Sequence, residues 1–147
     1  MLKSIVGVIV GYLVIMLVAF AAYTAAYLGL GAERAFEPGT YALSGIWIGL
    51  VIAITIITGL AGGMTCAAIS KSRTTGLVFA AIVFVLGFVF ELPNLKKDFT
   101  PVARAGDVSN MEAMGKAQPP FWLCLLNPFL GGAAVLMGAR MKKSSAV

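Results

Sequence analysis

The chain has 147 residues, of which 60% are hydrophobic and 12% charged, with a net charge of +5 and no histidine. Soluble domains carry about 45–50% apolar and about 25% charged residues, so no soluble core of this length hides this much apolar surface. The basic excess flanks long uncharged runs rather than forming a patch, which excludes nucleic acid as the partner and points to the lipid bilayer.

No Lys, Arg, Asp or Glu occurs in Ser4–Ala32, Pro38–Ser70, Thr74–Phe90 or Ala117–Ala139. A helix of about 18–20 apolar residues crosses the ~30 Å hydrocarbon core. The runs predict four spans, Ser4–Leu30, Ser44–Ser70, Thr75–Leu92 and Pro119–Ala139, with an outer loop over residues 93–118. The expected fold is all-α: one polytopic membrane domain, a four-transmembrane-helix bundle with a short helix in its outer loop.

Span one opens like a signal peptide, with Lys3 and the small-x-small triplet Ala19-Phe20-Ala21. Its apolar run continues to Ala32, past the ~7–15 residues of a signal h-region, so an uncleaved helix is expected. Glu37-Pro38-Gly39-Thr40 predicts a turn, and Ser44 a cap for span two. Lys71-Ser72-Arg73 is too short for anything but a tight turn, so spans two and three are antiparallel neighbours. Pro93 is expected to stop span three. In the outer loop, Ser109-Asn110-Met111-Glu112 fits a capping box, predicting a helix over Asn110–Lys116 with Met111 and Met114 on one side. Pro119-Pro120 starts span four, and Pro128 should bend it.

Small residues recur at helical spacing in every span. Gly7/Gly11, Gly45/Gly49 and Gly59/Gly63 are G-x-x-x-G pairs, and Gly131 and Gly138 continue the pattern in span four. In span two the small-residue face reads Gly45, Gly49, Ile52, Ile56, Gly59, Gly63. Lipid supplies no hydrophobic drive for helix association, so close backbone approach must do so. These eight glycines are therefore the expected packing positions, either within the bundle or between copies. The pairs Gly62-Gly63 and Gly131-Gly132 fall near mid-membrane, as hinges in a path, a trace of duplication or chance. Trp47 and Trp122 are expected as interface anchors.

One candidate site emerges. Glu91 lies four residues after Gly87, near the outer end of span three, and Asn127 sits on the small-residue face of span four. Tyr23 and Tyr27 occupy the outer half of span one. Together they predict a polar pocket open to the outer surface. The plainer alternative has Glu91 snorkelling to the headgroups and Asn127 bonding the backbone freed by Pro128.

Catalytic signatures are sparse. Without histidine there is no bis-His haem, and no metal or cofactor is expected. Cys66 and Cys124 fall about 15 Å apart in depth, beyond disulfide reach. No G-x-S-x-G, H-E-x-x-H or phosphate-binding glycine loop occurs. Small multidrug exporters share the span count, but their buried span-one Glu has no counterpart in Ser4–Ala32.

Lys3, Lys71, Arg73, Arg140, Lys142 and Lys143 crowd one side, without acids. Arg34, Lys96, Lys97, Arg104 and Lys116 lie on the other, with all six acids. The positive-inside rule then puts both termini in the cytoplasm. Ala35-Phe36-Glu37-Pro38-Gly39-Thr40-Tyr41 and Asp107-Val108-Ser109-Asn110-Met111-Glu112-Ala113-Met114 resemble segments of small four-span bacterial membrane proteins of uncharacterised function. That resemblance implies a bacterial inner-membrane protein and supplies no activity or site. The expected function is an accessory or structural membrane subunit, associating with itself or with a larger membrane complex. The alternatives are a small oligomeric transporter or channel, and a lipid-acting enzyme with Glu91, Asp107 and Glu112 as its candidate acids.

Overall fold

The computed structural model describes residues 1–96 and 100–141. Lys97, Lys142 and Lys143, counted above among the flanking charges, lie outside the described residues. Four long helices are α1 (Leu2–Leu30), α3 (Gly45–Ser70), α4 (Arg73–Leu95) and α6 (Phe121–Met141). Two short ones are α2 (Ala32–Ala35) and α5 (Asn110–Lys116). All four long helices are long and apolar enough to cross a membrane. The protein is an all-helical membrane bundle, with a short helix in the loop that precedes α6.

The helix ends follow from local chemistry. Ser44 accepts from the Trp47 N–H at 3.2 Å, Ser72 from Thr75 at 3.3 Å and Ser109 from Glu112 at 3.3 Å, each satisfying an N–H that lacks an intrahelical partner. Lys71 ends α3 in the left-handed region, at φ 51°. The Pro38-Gly39 turn closes with Thr40 N–H donating to the Glu37 carbonyl at 3.1 Å, and Gly39 takes the positive φ it requires. Pro93 does not stop α4, which runs on to Leu95. In the last turn a proline forfeits one hydrogen bond without ending the ladder above it.

α3 and α6 form the central pair, α1 packs on α3, and α4 packs mainly on α6. The tight turn makes α3 and α4 consecutive and antiparallel, yet their mutual contact is the lesser one. Each central helix must therefore touch two neighbours at one depth. The double glycines provide for this. A Cβ on Gly62 would strike Ile15 of α1, and one on Gly63 would strike the Val135 carbonyl of α6. Gly132 faces Phe84 of α4 at 3.2 Å, while the Gly131 carbonyl lies 3.2 Å from where Gly59 would carry a Cβ. Adjacent helical residues point about 100° apart, so two glycines in a row open two faces.

The predicted packing glycines divide accordingly. Gly7, Gly11, Gly59, Gly63 and Gly138 all lie where an added Cβ meets a neighbouring helix at 3.0 Å or less. Gly45 and Gly49 do not, since nothing lies within 4 Å of either. They occupy the loop-end half of α3, where the helices separate. Gly131 is buried but roomy, with its nearest neighbours at 3.7 and 3.8 Å. Ile56, placed on the same face by spacing, is exposed, because the buried stripe of α3 runs through Ile54, Thr58, Gly59, Gly62, Gly63 and Cys66.

Two apolar cores result. At the end carrying both termini, Cys66, Phe79, Ala80 and Val135 pack under Val8, Tyr12 and Ile15. At the loop end, Tyr27, Phe36, Tyr41, Leu43, Ala113 and Leu123 build a second core beneath a folded cap. The cap is stitched from separate loop segments: Tyr41 N–H donates to Val102 at 3.0 Å, Gln118 N–H to Tyr41 at 2.9 Å, and Arg104 N–H to Gly39 at 2.8 Å. The Arg104 side chain is 1% exposed and donates to the carbonyls of Thr40 and Gly106 and to the Glu33 carboxylate. It joins α2, the loop after α2 and the loop before α5 at one point.

Candidate functional site

Below the cap, among the four long helices, lies a cavity of about 280 Å³. Tyr23 of α1, Trp47 of α3, Glu91 and Asn94 of α4 and Asn127 of α6 line it, with Met114 of α5 at its roof. Three of the four residues proposed from sequence thus share one cavity. The fourth, Tyr27, does not line it. One turn above Tyr23, it is 6% exposed and donates its hydroxyl to the Val108 carbonyl at 2.6 Å, so it holds the cap down. Tyr27 borders a smaller neighbouring cavity of about 170 Å³, which Tyr23 and Trp47 also line.

Within the larger cavity, Glu91 Oε2 accepts from Asn94 Nδ2 at 2.9 Å. Asn127 does not bond the backbone freed by Pro128. Its Oδ1 accepts the Thr55 hydroxyl at 2.7 Å. That bond commits the Asn127 carbonyl and leaves its N–H groups as donors toward the cavity. Tyr23, Glu91 and Asn127 line one cavity and Thr55 joins them through Asn127, so polar side chains of all four long helices meet there. Gly87 gives α6 room to bring its proline alongside, since a Cβ there would lie 3.1 Å from that of Pro128.

Trp47 is half-buried against Tyr23 and Tyr27, with ring centroids 6.4 and 6.1 Å away, so it faces the bundle and does not serve as a peripheral anchor. Trp122, at the start of α6, is exposed. Cys66 and Cys124 are both buried, with no disulfide between them. Among the described residues, no three metal-ligating Cys, Asp or Glu side chains converge.

A second polar cluster sits on the cap. Glu112 Oε1 accepts from the Tyr41 hydroxyl and from Lys116 Nζ, both at 2.9 Å. Glu112 therefore completes only half of the predicted capping box, its carboxylate being turned to Tyr41. Its hydrogen bonds from Lys116 and then Tyr41 hold the carboxyl below the usual glutamate range. The same Glu112 bond raises Lys116, and loss of hydration raises Tyr41. Tyr41 and Glu112 belong to the two loop segments singled out above, which the fold packs together.

Spacing alone passed over Thr55, Trp47 and Arg104. Thr55 precedes Gly59 by one turn and so shares its face, a signal present in the sequence. Nothing local distinguishes Arg104 from the other loop cations. Against protein-family models, curated proteins and solved structures, the chain finds no significant match.

Proposed function

We propose that this chain is an accessory membrane subunit: a rigid four-helix anchor that presents a folded cap at its loop end. The observation that carries this reading is the cap itself. Three loop segments are pinned by backbone pairing and by a buried Arg104, and they hold Met111 and Val102 outward at 72% and 52% exposure. Ordering so many loop residues costs roughly 1–2 kcal/mol each in backbone entropy, which a mere linker does not require. A fixed surface suits docking to a larger membrane complex or to another copy. The basic residues Lys3, Lys71, Arg73 and Arg140 at the terminal end support an orientation with both termini in the cytoplasm of a bacterial inner membrane.

Native purification followed by crosslinking from Met111→Cys tests the proposal. A stoichiometric partner crosslinked at the cap is expected. A chain that purifies alone and carries solute flux in proteoliposomes contradicts it.

The second reading, a small oligomeric transporter or channel, draws on the polar cavity among Tyr23, Glu91 and Asn127. In one copy that cavity ends above Phe79 and Val135, both wholly buried, so a through-path would have to run between copies. A lipid-acting enzyme has less behind it, because Glu112 is engaged by Tyr41 and Lys116.

A further inference from the structure

We propose that the loop-end cavity binds an ammonium group, carried either by a lipid headgroup or by a small amine from water. Among the described residues, Glu91 is the only carboxylate lining the cavity, and no Lys or Arg lines it. No described cation lies within ion-pair distance of Glu91. Asn94 engages Oε2, which leaves Oε1 to a ligand. A partly buried carboxylate with no described cation beside it offers an ammonium group an ion pair.

The walls favour an organic cation over a bare metal ion. Tyr23 and Trp47 stand side by side with centroids 6.4 Å apart, and aromatic faces attract ammonium groups within about 6 Å. Opposite them, the Asn127 N–H groups suit an oxygen carried beside the ammonium. The volume of about 280 Å³ falls just below the ~300–1,000 Å³ typical of small-molecule sites. It accommodates a headgroup or a small amino alcohol but not an acyl chain. The position supports both sources, since the cavity lies beneath the cap toward the loop ends of α1 and α4. This inference does not depend on the accessory-subunit reading.

Native mass spectrometry of the detergent-purified full chain tests it. Phosphatidylethanolamine should form a one-to-one adduct about tenfold tighter than phosphatidylglycerol, with Glu91→Gln erasing the difference. Ethanolamine serves as the aqueous probe. Binding of ethanolamine without phosphatidylethanolamine assigns the site to a soluble amine, and the reverse assigns it to lipid; both support an ammonium site. Should Glu91→Gln fail to fold, the wild type decides by comparing ethanolamine with the uncharged N-acetylethanolamine. Equal binding of the charged and neutral probes, no binding of either amine, or full binding by a folded Glu91→Gln variant overturns the proposal.

Discussion

The terminal end and the loop end of this bundle are held together by different physics. At the terminal end, helices meet through backbone. Gly7, Gly11, Gly62 and Gly63 of α1 and α3, with Gly138 of α6, leave no room for a Cβ. At the loop end side chains take over: Trp47 packs against Tyr23 and edge-on to Tyr27, Thr55 bonds Asn127, and Arg104 pins the cap. Close packing and dispersion need no charged groups, so the core of the terminal end is sealed and apolar. The loop end can tolerate Glu91 and Asn127 because it is wider and nearer water. The contrast teaches that within one helix a glycine's meaning depends on depth: Gly63 and Gly49 share the face predicted from spacing, yet one is jammed and the other faces open space.

The largest expected effect breaks the terminal end. Gly63→Leu drives a side chain into the Val135 carbonyl, and backbone cannot yield as a side-chain tip can. Overpacking costs ~1–3 kcal/mol in ordinary cores, and here at least the upper figure is expected. The checks are thermal melting and size-exclusion profile in detergent. Gly49→Leu is the matched control and should melt with the wild type. If the two variants behave alike, the depth contrast fails.

Arg104→Ala should cost about 2–3 kcal/mol, confined to the cap, through the lost charge-assisted hydrogen bonds. Hydrogen exchange should quicken across residues 36–43 and 102–118 while α3 and α6 stay protected. Arg104→Lys should not restore protection, because one ammonium cannot span three separated acceptors. Uniform quickening throughout the bundle would mean that the two ends are not separable.

Thr55→Val removes one interhelical hydrogen bond while keeping its shape. Such bonds in membranes average ~0.6 kcal/mol, so a small fall in melting temperature is expected. Ligand binding in the cavity should fall more than stability does, since Asn127 loses its fixed orientation. A variant with unchanged binding would leave Thr55 a packing role only.

The mildest perturbation is acid. The Glu112 carboxyl is lowered in the folded cap by Lys116 and Tyr41, so its contribution is present above the unfolded glutamate pKa. It is lost as pH falls through the depressed folded value. Cap protection by hydrogen exchange should therefore begin to decline as pH falls through the ordinary glutamate range and level off below the depressed folded value. Glu112→Gln should remove that acid-dependent step.

The sequence reveals the spans and much less of what joins them. Uncharged runs and serine caps give the helix ends to within three residues, because bilayer thickness and orphan N–H groups are local constraints. α5 agrees at both ends for the same reason. Spacing also brings Tyr23, Glu91 and Asn127 together, since each marks an inward face. It does not show that α4 packs mainly on α6, because a short connection fixes adjacency in sequence and leaves the larger interface open. That missing neighbour map is why spacing places Gly45 and Gly49 in contacts and leaves the double glycines open between hinges, duplication and chance. The role of Arg104 depends on loop segments far apart in the chain, and no local pattern announces it.

The account turns on a sealed terminal end beneath an accessible loop-end cavity, and sided thiol labelling in membranes measures that directly. In a Cys124→Ala background, native Cys66 reports the terminal core, where it is fully buried, and Asn127→Cys reports the cavity. A charged methanethiosulfonate reagent should modify residue 127 from the loop side alone and leave Cys66 untouched from either side. Rapid modification of Cys66 from either side, or an inert cysteine at 127, would contradict the division between the two ends.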